Sequence, residues 1–293
     1  MILITGANGQ LGQDFQKVFS NLSLEYTATD YKELDITNID AISNFVKDKN
    51  ITHIINCAAY NDVDKAESEK DKAYLLNREA PKNLVHISKE IGAVFASYST
   101  DFVFDGTKGS PYTEEDRPNP ISVYADSKYQ GENAVIEVYE KSFVIRTSWV
   151  FGMGNNNFNK QLIGWSENND SLNIVDDQIS SPTYSRDLAE YSWELIKTNK
   201  FGLYHLSNSG ECSKYEQAKY VLDYIGWEGI LGTAKTADFN LTAKRSEYTK
   251  LDSSKLESVI GKKLPTWQSG IRRFLDEYRE KKKKPQINAN ERR

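Results

Sequence analysis

Residues 1–12 read "MILITGANGQLG", a short β-branched apolar run that breaks at once into Gly6, Gly9 and Gly12. No other stretch constrains the fold as much. A run that is apolar at every position is the pattern of a parallel strand buried on both faces. Glycines at the following turn let the backbone approach a bound pyrophosphate and let the next helix pack close on the strand. The N-terminus of that helix then receives the anion. The spacing is GxxGxxG rather than GxGxxG, and a tight turn after a strand uses glycine in any case. Its place directly between a strand pattern and a helix pattern is the context that dinucleotide binding demands. The next apolar stretch, "LEYTATD", ends at Asp30, about twenty residues on, where an acidic ribose ligand belongs. A carboxylate there accepts from the ribose hydroxyls and repels a 2′-phosphate. NADH is therefore favoured, and nearby Lys32 leaves NADPH open.

Strand and helix patterns alternate from there. "ELDITN" (Glu33 to Asn38) leads into a helix capped by Thr37 or Asn38. "ITHIINCAAY" is a second buried strand that opens into Ala58 and Ala59, small residues that leave room for a flat ligand. Residues 61–93 read as two helical segments with a break near Asp71. "VFASYSTDFVFDG" returns to strand and ends at Ser99, Thr100 and Asp101. This alternation, with no internal repeat and no Gly/Ser linker, predicts an α/β fold: a Rossmann-type, doubly wound parallel sheet covered by helices. The carboxyl ends of such strands border the ligand crevice, which brings Thr100 to it.

The stretch "ISVYADSKYQGE" holds Tyr124 and Lys128 four residues apart, just after a proline-bounded loop. On a helix that spacing places the phenol and the ammonium on one face. A free phenol titrates near 10. A neighbouring cation favours the phenolate, and a bound nicotinamide cation pushes the same way. Bringing the phenol to about 7 takes roughly 4 kcal/mol, at about 1.4 kcal/mol per unit. The product is a group able to exchange a proton with an alcohol oxygen near neutral pH. Taken alone, the pair also fits a solvated helix face. The glycine turn, Asp30 and Thr100 favour the chemical reading.

After "SFVIRTSWVFG", a strand ending at Trp149, the chain becomes less periodic. The expected division is a dinucleotide-binding domain over residues 1–149, to which 171–199 return. A smaller mixed α/β substrate-binding lobe then covers 150–170 and 200–280, with a disordered tail at 281–293. The 293 residues suit that size. A net charge of −5 argues against a general nucleic-acid binder, and the basic tail alone does not reverse this. No apolar run approaches bilayer length, and "MILITG" lacks the basic flank of a signal peptide, so a cytoplasmic protein without a membrane partner is expected. The two cysteines, Cys57 and Cys212, lack metal-ligand spacing.

With these residues in place, the chain resembles the extended short-chain dehydrogenase/reductases, and within them the dTDP-4-dehydrorhamnose reductase family. The matching pieces are "LITGANGQLG", "LDITN", "NCAAYNDVDKAE", "YSTDFVFDG", "NPISVYADSKYQGE", "IRTSWVFG" with "GNNNF", "DDQISSPTY" and "GLYHLSNSGECS", in the family's order as far as Cys212. A fainter likeness continues through "AKRSEYTKLDSSKL" to the helix near Tyr278. The glycine triplet and Tyr-x-x-x-Lys are shared by the whole superfamily, whereas "VDKAE", "RTSWV" and "DQ-x-x-SPT" mark this branch.

The resemblance implies roles. Gly6, Gly9, Gln10, Leu11 and Gly12 line the pyrophosphate. Asp30, Asp35 and Ile36 sit at the adenosine end, and Ala58, Ala59 and Tyr60 lie along the cofactor. Thr100, Tyr124 and Lys128 match the catalytic set. Asn61, Val63, Trp149 and Arg245 fall where relatives touch a nucleotide sugar. The implied reaction is NAD(P)H-dependent reduction of the C4 keto group of dTDP-4-dehydro-L-rhamnose. Phe102 stands where a tyrosine is usual, and Ser246 where proline often follows the late arginine. Some members hold magnesium with glutamates at a dimer contact. The matching place here reads Ser185, Arg186 and Asp187, so no metal is expected, and a homodimer stays open. One rival on the same scaffold is a nucleotide-sugar epimerase or dehydratase, with Asp101 as an extra acid. Another is a non-catalytic regulatory subunit resembling the β subunit of methionine adenosyltransferase.

Overall fold

In the computed structural model, which describes residues 1–283, the N-terminal apolar run is β1 (Ile2–Thr5), buried at every position. It turns at Gly6, φ +67°, into α1 (Gln10–Asn21). A Cβ on Gly6 would lie 2.5 Å from the Ala58 amide nitrogen, and one on Gly12 would lie 2.3 Å from the Gly6 carbonyl oxygen. Only glycine lets these backbones meet. β2 (Tyr26–Thr29) leads past Asp30 to α2 (Ile39–Val46), where Asn38 rather than Thr37 is the cap and accepts from the Ala41 amide.

β3 (His53–Asn56) opens into the small residues Ala58 and Ala59. The helical break expected near Asp71 falls a few residues earlier. α3 (Val63–Ala66), capped by Asp62, stops there, and α4 (Lys70–Tyr74) continues through a π-turn (Leu75–Glu79) into α5 (Ala80–Ile91). β4 (Val94–Thr100), α6 (Val123–Ile136) and β5 (Ser142–Thr147) complete the first half. A Cβ on Gly131 of α6 would lie 1.9 Å from the Asn77 carbonyl oxygen, so this helix rides directly on the π-turn.

The second half adds β6 (Val150–Phe151), α7 (Phe158–Ser166), β7 (Ser171–Val175), β8 (Ile179–Ser180) and β9 (Thr183–Tyr184). It continues with α8 (Ser185–Ile196), β10 (Gly202–His205), β11 (Cys212–Ser213) and α9 (Lys214–Ile225). It closes with β12 (Ile230–Ala234), α10 (Ser254–Ile260) and α11 (Trp267–Lys283).

Six strands form one parallel sheet in the order β2-β1-β3-β4-β5-β10. The chain leaves β1 toward one edge and returns on its other side as β3. That reversal opens a crevice at the carboxyl ends of β1 and β3. Alternate residues of β1 serve opposite faces, as strand geometry requires. Ile2 and Ile4 pack with Phe15 and Phe19 of α1 and Leu188 and Trp193 of α8, whereas Leu3 packs with Ile42, Leu84 and Val135 of α2, α5 and α6. Phe19 is fully buried, and its replacement by Ala costs about 3–5 kcal/mol.

Two segments lie across the boundaries drawn from sequence. β7 pairs with β12 in the lobe, because Ser171 and Asn173 are exposed and the strand could not be covered on both faces. β10, assigned to the lobe, is the outer strand of the main sheet, with Tyr204 and His205 inside. Of residues 171–199, α8 packs on the main sheet through α1. The lobe has its own core, in which Phe151, Leu162, Val221, Trp267, Ile271 and Phe274 meet. The tail drawn from 281 begins inside α11, which runs to Lys283; the rest of that expectation lies outside the described residues. Among the described residues no helix is long and apolar enough to cross a membrane.

Candidate active site

The N-terminus of α6 is capped twice. Ser122 accepts from the Ala125 amide at 3.3 Å, and the Glu67 carboxylate accepts from the Val123 amide at 2.8 Å. Tyr124 therefore sits in the first turn and Lys128 one turn later, both buried. A bidentate pair behind them fixes the helix on β5. Arg146 donates from Nε and Nη2 to the Glu132 carboxylate at 2.9 and 2.6 Å, with both side chains buried. The Lys128 ammonium donates to the Tyr98 carbonyl of β4 at 2.6 Å. The Tyr124 phenol lies beside Thr100 at the end of β4, and the Thr100 hydroxyl itself donates to the Asp101 carboxylate at 3.2 Å. Thr100, Tyr124 and Lys128 thus form one cluster.

The electrostatics differ from those expected of a Tyr/Lys pair. Burial pushes the Tyr124 phenol up to about 12, a rise that Thr100 opposes and the Asp101 charge reinforces. Burial lowers the Lys128 ammonium to about 8, with Glu132 pulling the other way. The phenolate near neutrality inferred from spacing is therefore not a property of the free protein. A dry site disfavours either charge more strongly than the pair offsets. A phenol that keeps its proton at pH 7 is the form a proton donor needs.

Two adjoining cavities, about 280 and 350 Å³, run from the cluster to Asp30 and share Gly9, Ala58, Ala59 and Asn61 in their walls. Gln10, Leu11, Tyr124 and Lys128 line the first; Gly6, Asp30, Asp35 and Ile36 line the second. At the centre of this trough α1 begins with Gly9 as its N-cap, with no side-chain cap and no acidic residue in the first turn. Its terminal amides are free for an anion, and the helix dipole favours one. Asp30 accepts from the Asn8 amide at 2.9 Å and the Tyr31 amide at 2.8 Å, and its own amide donates to Glu33 at 2.9 Å. That end is anionic. The residues present fit a dinucleotide: the uncapped start of α1 suits an anion, and the Asp30 carboxylate suits hydroxyl donors.

Several predicted residues stand back from the trough walls. Gly12 serves helix packing. The Tyr60 hydroxyl donates to Glu69 at 2.9 Å, and its ring packs with Tyr124 and Val63. Arg245 is ion-paired with Asp64 at 2.6 Å. Trp149 holds a left-handed backbone, φ +43°, with the Lys214 ammonium 3.4 Å from its ring centroid. The segment that the resemblance matched to a magnesium place is tied up internally: Ser185 and Arg186 bond Asp14, and Asp187 takes both Nη donors of Arg273 at 2.6 Å.

Sequence reading missed three asparagines. Asn56 accepts from Thr5 Oγ1 at 2.8 Å and the Ala58 amide at 3.1 Å, which shapes the small-residue turn. Asn77, buried in the π-turn, bonds both backbone groups of Tyr60 and donates to Ser127 at 2.9 Å, so it joins the trough wall to α6. A polar residue on an apolar helix face was the available signal. Asn155, within "GNNNF", borders both cavities.

A trough with bare helical amides midway and a protonated tyrosine at its end belongs to the short-chain dehydrogenase/reductase class of nicotinamide-dependent enzymes. The family model for the RmlD substrate binding domain matches residues 1–280. The dTDP-4-dehydrorhamnose reductase of Aggregatibacter actinomycetemcomitans is 36% identical over 284 residues, covering 92% of this chain and 97% of the relative. Solved dTDP-4-dehydrorhamnose reductases from Bacillus anthracis, in complex with NADP, and Clostridium acetobutylicum are each 38% identical. They superpose with TM-scores of 0.91 and 0.92, covering 94% and 95% of this chain and 98% and 99% of theirs. The chain belongs to the dTDP-4-dehydrorhamnose reductase family.

Proposed function

We infer that this chain reduces the C4 keto group of dTDP-4-dehydro-L-rhamnose to give dTDP-L-rhamnose. The observation that carries the reading is the buried Tyr124–Lys128 pair in the wall of the trough, with Thr100 buried beside Tyr124. A nicotinamide cofactor supplies the hydride when bound. Gly9, Gln10 and Leu11 hold its pyrophosphate at the start of α1, and Asp30 takes its adenosine ribose. Lys128, anchored on the Tyr98 carbonyl, offers its remaining donors to the other ribose. Tyr124 gives its proton to the oxygen of the sugar carbonyl as charge develops there, and the Thr100 hydroxyl, which donates to Asp101 at 3.2 Å in the free protein, turns to the same oxygen. Donors aimed at charge that appears only in the transition state contribute to rate rather than to binding alone. Asn61, Val63, Trp149 and Arg245 would contact the nucleotide sugar.

NADH is the favoured cofactor of this reading, because Asp30 and Glu33 together oppose a 2′-phosphate. A dehydratase would need Asp101 as a free acid. Its carboxylate instead takes hydroxyls from Thr100 at 3.2 Å, Ser180 at 3.0 Å and Thr249. An intact proton-donating cluster likewise disfavours a purely regulatory subunit. The test is oxidation of NADH and NADPH against a panel of nucleotide 4-keto sugars. Turnover of the dTDP-4-keto-6-deoxy sugar is expected; no oxidation with any member would overturn the reading.

A further inference from the structure

Trp149 is one of three residues other than glycine with positive φ among the described residues. A bulky side chain in that region is strained and needs its surroundings to hold it. Its neighbours Thr147 and Val150 border the trough with Tyr124 and Lys128, so the strain sits beside the site, just behind its wall. The Trp149 carbonyl accepts from the Thr183 amide at 3.3 Å, which fixes the backbone. The indole itself is held from the lobe by Lys214, whose ammonium lies 3.4 Å from its centroid and 4.7 Å from that of Phe158.

Lys214 is oddly placed for a structural residue. It is the first residue of α9, where the helix dipole disfavours a cation. The helix is already capped by Ser213 and Glu216, each bonding the other's amide, at 3.0 and 2.7 Å. The hydrogen bond found for the Lys214 ammonium among the described residues goes to Gln217 Oε1 at 3.4 Å. Gln217 is in turn anchored on Asn159 at 2.8 Å. Two aromatic faces and an anchored amide, rather than a carboxylate, thus surround the charge.

We propose that Lys214 is a positioning residue for Trp149: its ammonium, stacked on the indole, holds the ring in the orientation that receives the sugar of the nucleotide-sugar substrate. The proposal rests on the reductase reading and on Trp149 as a substrate contact. Cation–π attraction is strongest for tryptophan and grows as the pair is desolvated. Burial lowers the Lys214 ammonium to about 7, against the pull of Cys212 on β11 and Asp101 after β4, so the hold weakens as pH rises through that value.

The test compares Lys214→Met, Lys214→Arg, Trp149→Phe and the Lys214→Met/Trp149→Phe double variant. Circular dichroism checks folding, and the unmodified enzyme must first turn over its nucleotide sugar. Lys214→Met should raise KM for the sugar about five- to tenfold, with a smaller fall in kcat and unchanged cofactor affinity. Lys214→Arg, which stays charged, should restore KM. The penalty of Lys214→Met should fade above about pH 7 and vanish in the Trp149→Phe background. The Trp149 emission, taken as the difference from Trp149→Phe, should shift with Lys214→Met. An equal KM penalty in the Trp149→Phe background, or a Lys214→Met enzyme with normal KM and normal emission, would overturn the proposal. If Trp149→Phe alone leaves KM unchanged while the emission shift persists, the substrate role of Trp149 fails and the proposal with it, yet the reductase reading stands. Failure of the unmodified enzyme to turn over any nucleotide sugar would instead be a failure of the reductase reading.

Discussion

The Lys128 ammonium bonds the Tyr98 carbonyl oxygen at 2.6 Å, so the lysine is tethered to the backbone of the central strand rather than to a carboxylate. One donor is spent on orientation and the others remain for a ligand. Lys128→Met keeps the unbranched stem but removes the charge and leaves a buried carbonyl without its partner, a loss of about 1–3 kcal/mol. The variant should fold, bind NADH more weakly and turn over more slowly. Fluorescence titration of NADH alongside kcat checks both. Unchanged cofactor affinity would remove Lys128 from the ribose site.

Asp30 receives amides from both the glycine turn and its own strand end. Asp30→Ala should weaken NADH binding and shift the NADPH/NADH ratio of kcat/KM upward about tenfold, as roughly 1.4 kcal/mol of repulsion is relieved. Steady-state kinetics with both cofactors decides. A ratio that does not move would mean that this carboxylate does not face the ribose.

Asp101 gives a pH signature. Burial pushes its carboxyl up to about 6, well above the usual aspartate range, although Thr249, Ser180 and Thr100 all favour the ionised form. The native state then holds the proton more tightly than the unfolded chain. The stability this contributes is full below about pH 4 and is lost as pH rises through about 6, on the order of 3 kcal/mol. Subtracting the denaturation curves of Asp101→Asn from those of the unmodified protein between pH 4 and 7 isolates this group. A difference that is flat with pH would contradict the assignment.

The Glu132–Arg146 pair is closed on both sides, so breaking it exposes the cost of a lone buried charge. Glu132→Ala should lower stability by about 3–5 kcal/mol. Urea denaturation reads this directly, and a loss below 1 kcal/mol would show that α6 is held by other contacts.

The parts of the site legible in the sequence were those set by short range. The glycine turn announces itself because a strand, three glycines and a helix follow one another, and Tyr124 and Lys128 because one helical turn separates them. The Asn38 cap and the strand end at Thr100 belong to the same kind. What stayed hidden depends on distant partners. Asp64 meets Arg245 across 181 positions, and Asn77 meets Ser127 across 50. Polar Ser171 and Asn173 were the local sign that β7 stays out of the main sheet, whereas nothing local in β10 shows that it joins it; the neighbour that strand finds decides. The dry setting that raises the Tyr124 phenol was equally invisible, since spacing reports proximity and says nothing about burial.

Tyr124→Phe tests the central claim most directly. The ring and its packing against Phe102 and Val63 remain, and only the proton donor is lost. With the dTDP-4-keto-6-deoxy sugar and NADH, kcat should fall about 10²–10⁴-fold while the dissociation constant for NADH stays within about twofold. A Tyr124→Phe enzyme that keeps near-normal kcat would contradict the account, because the proton would then be coming from somewhere else.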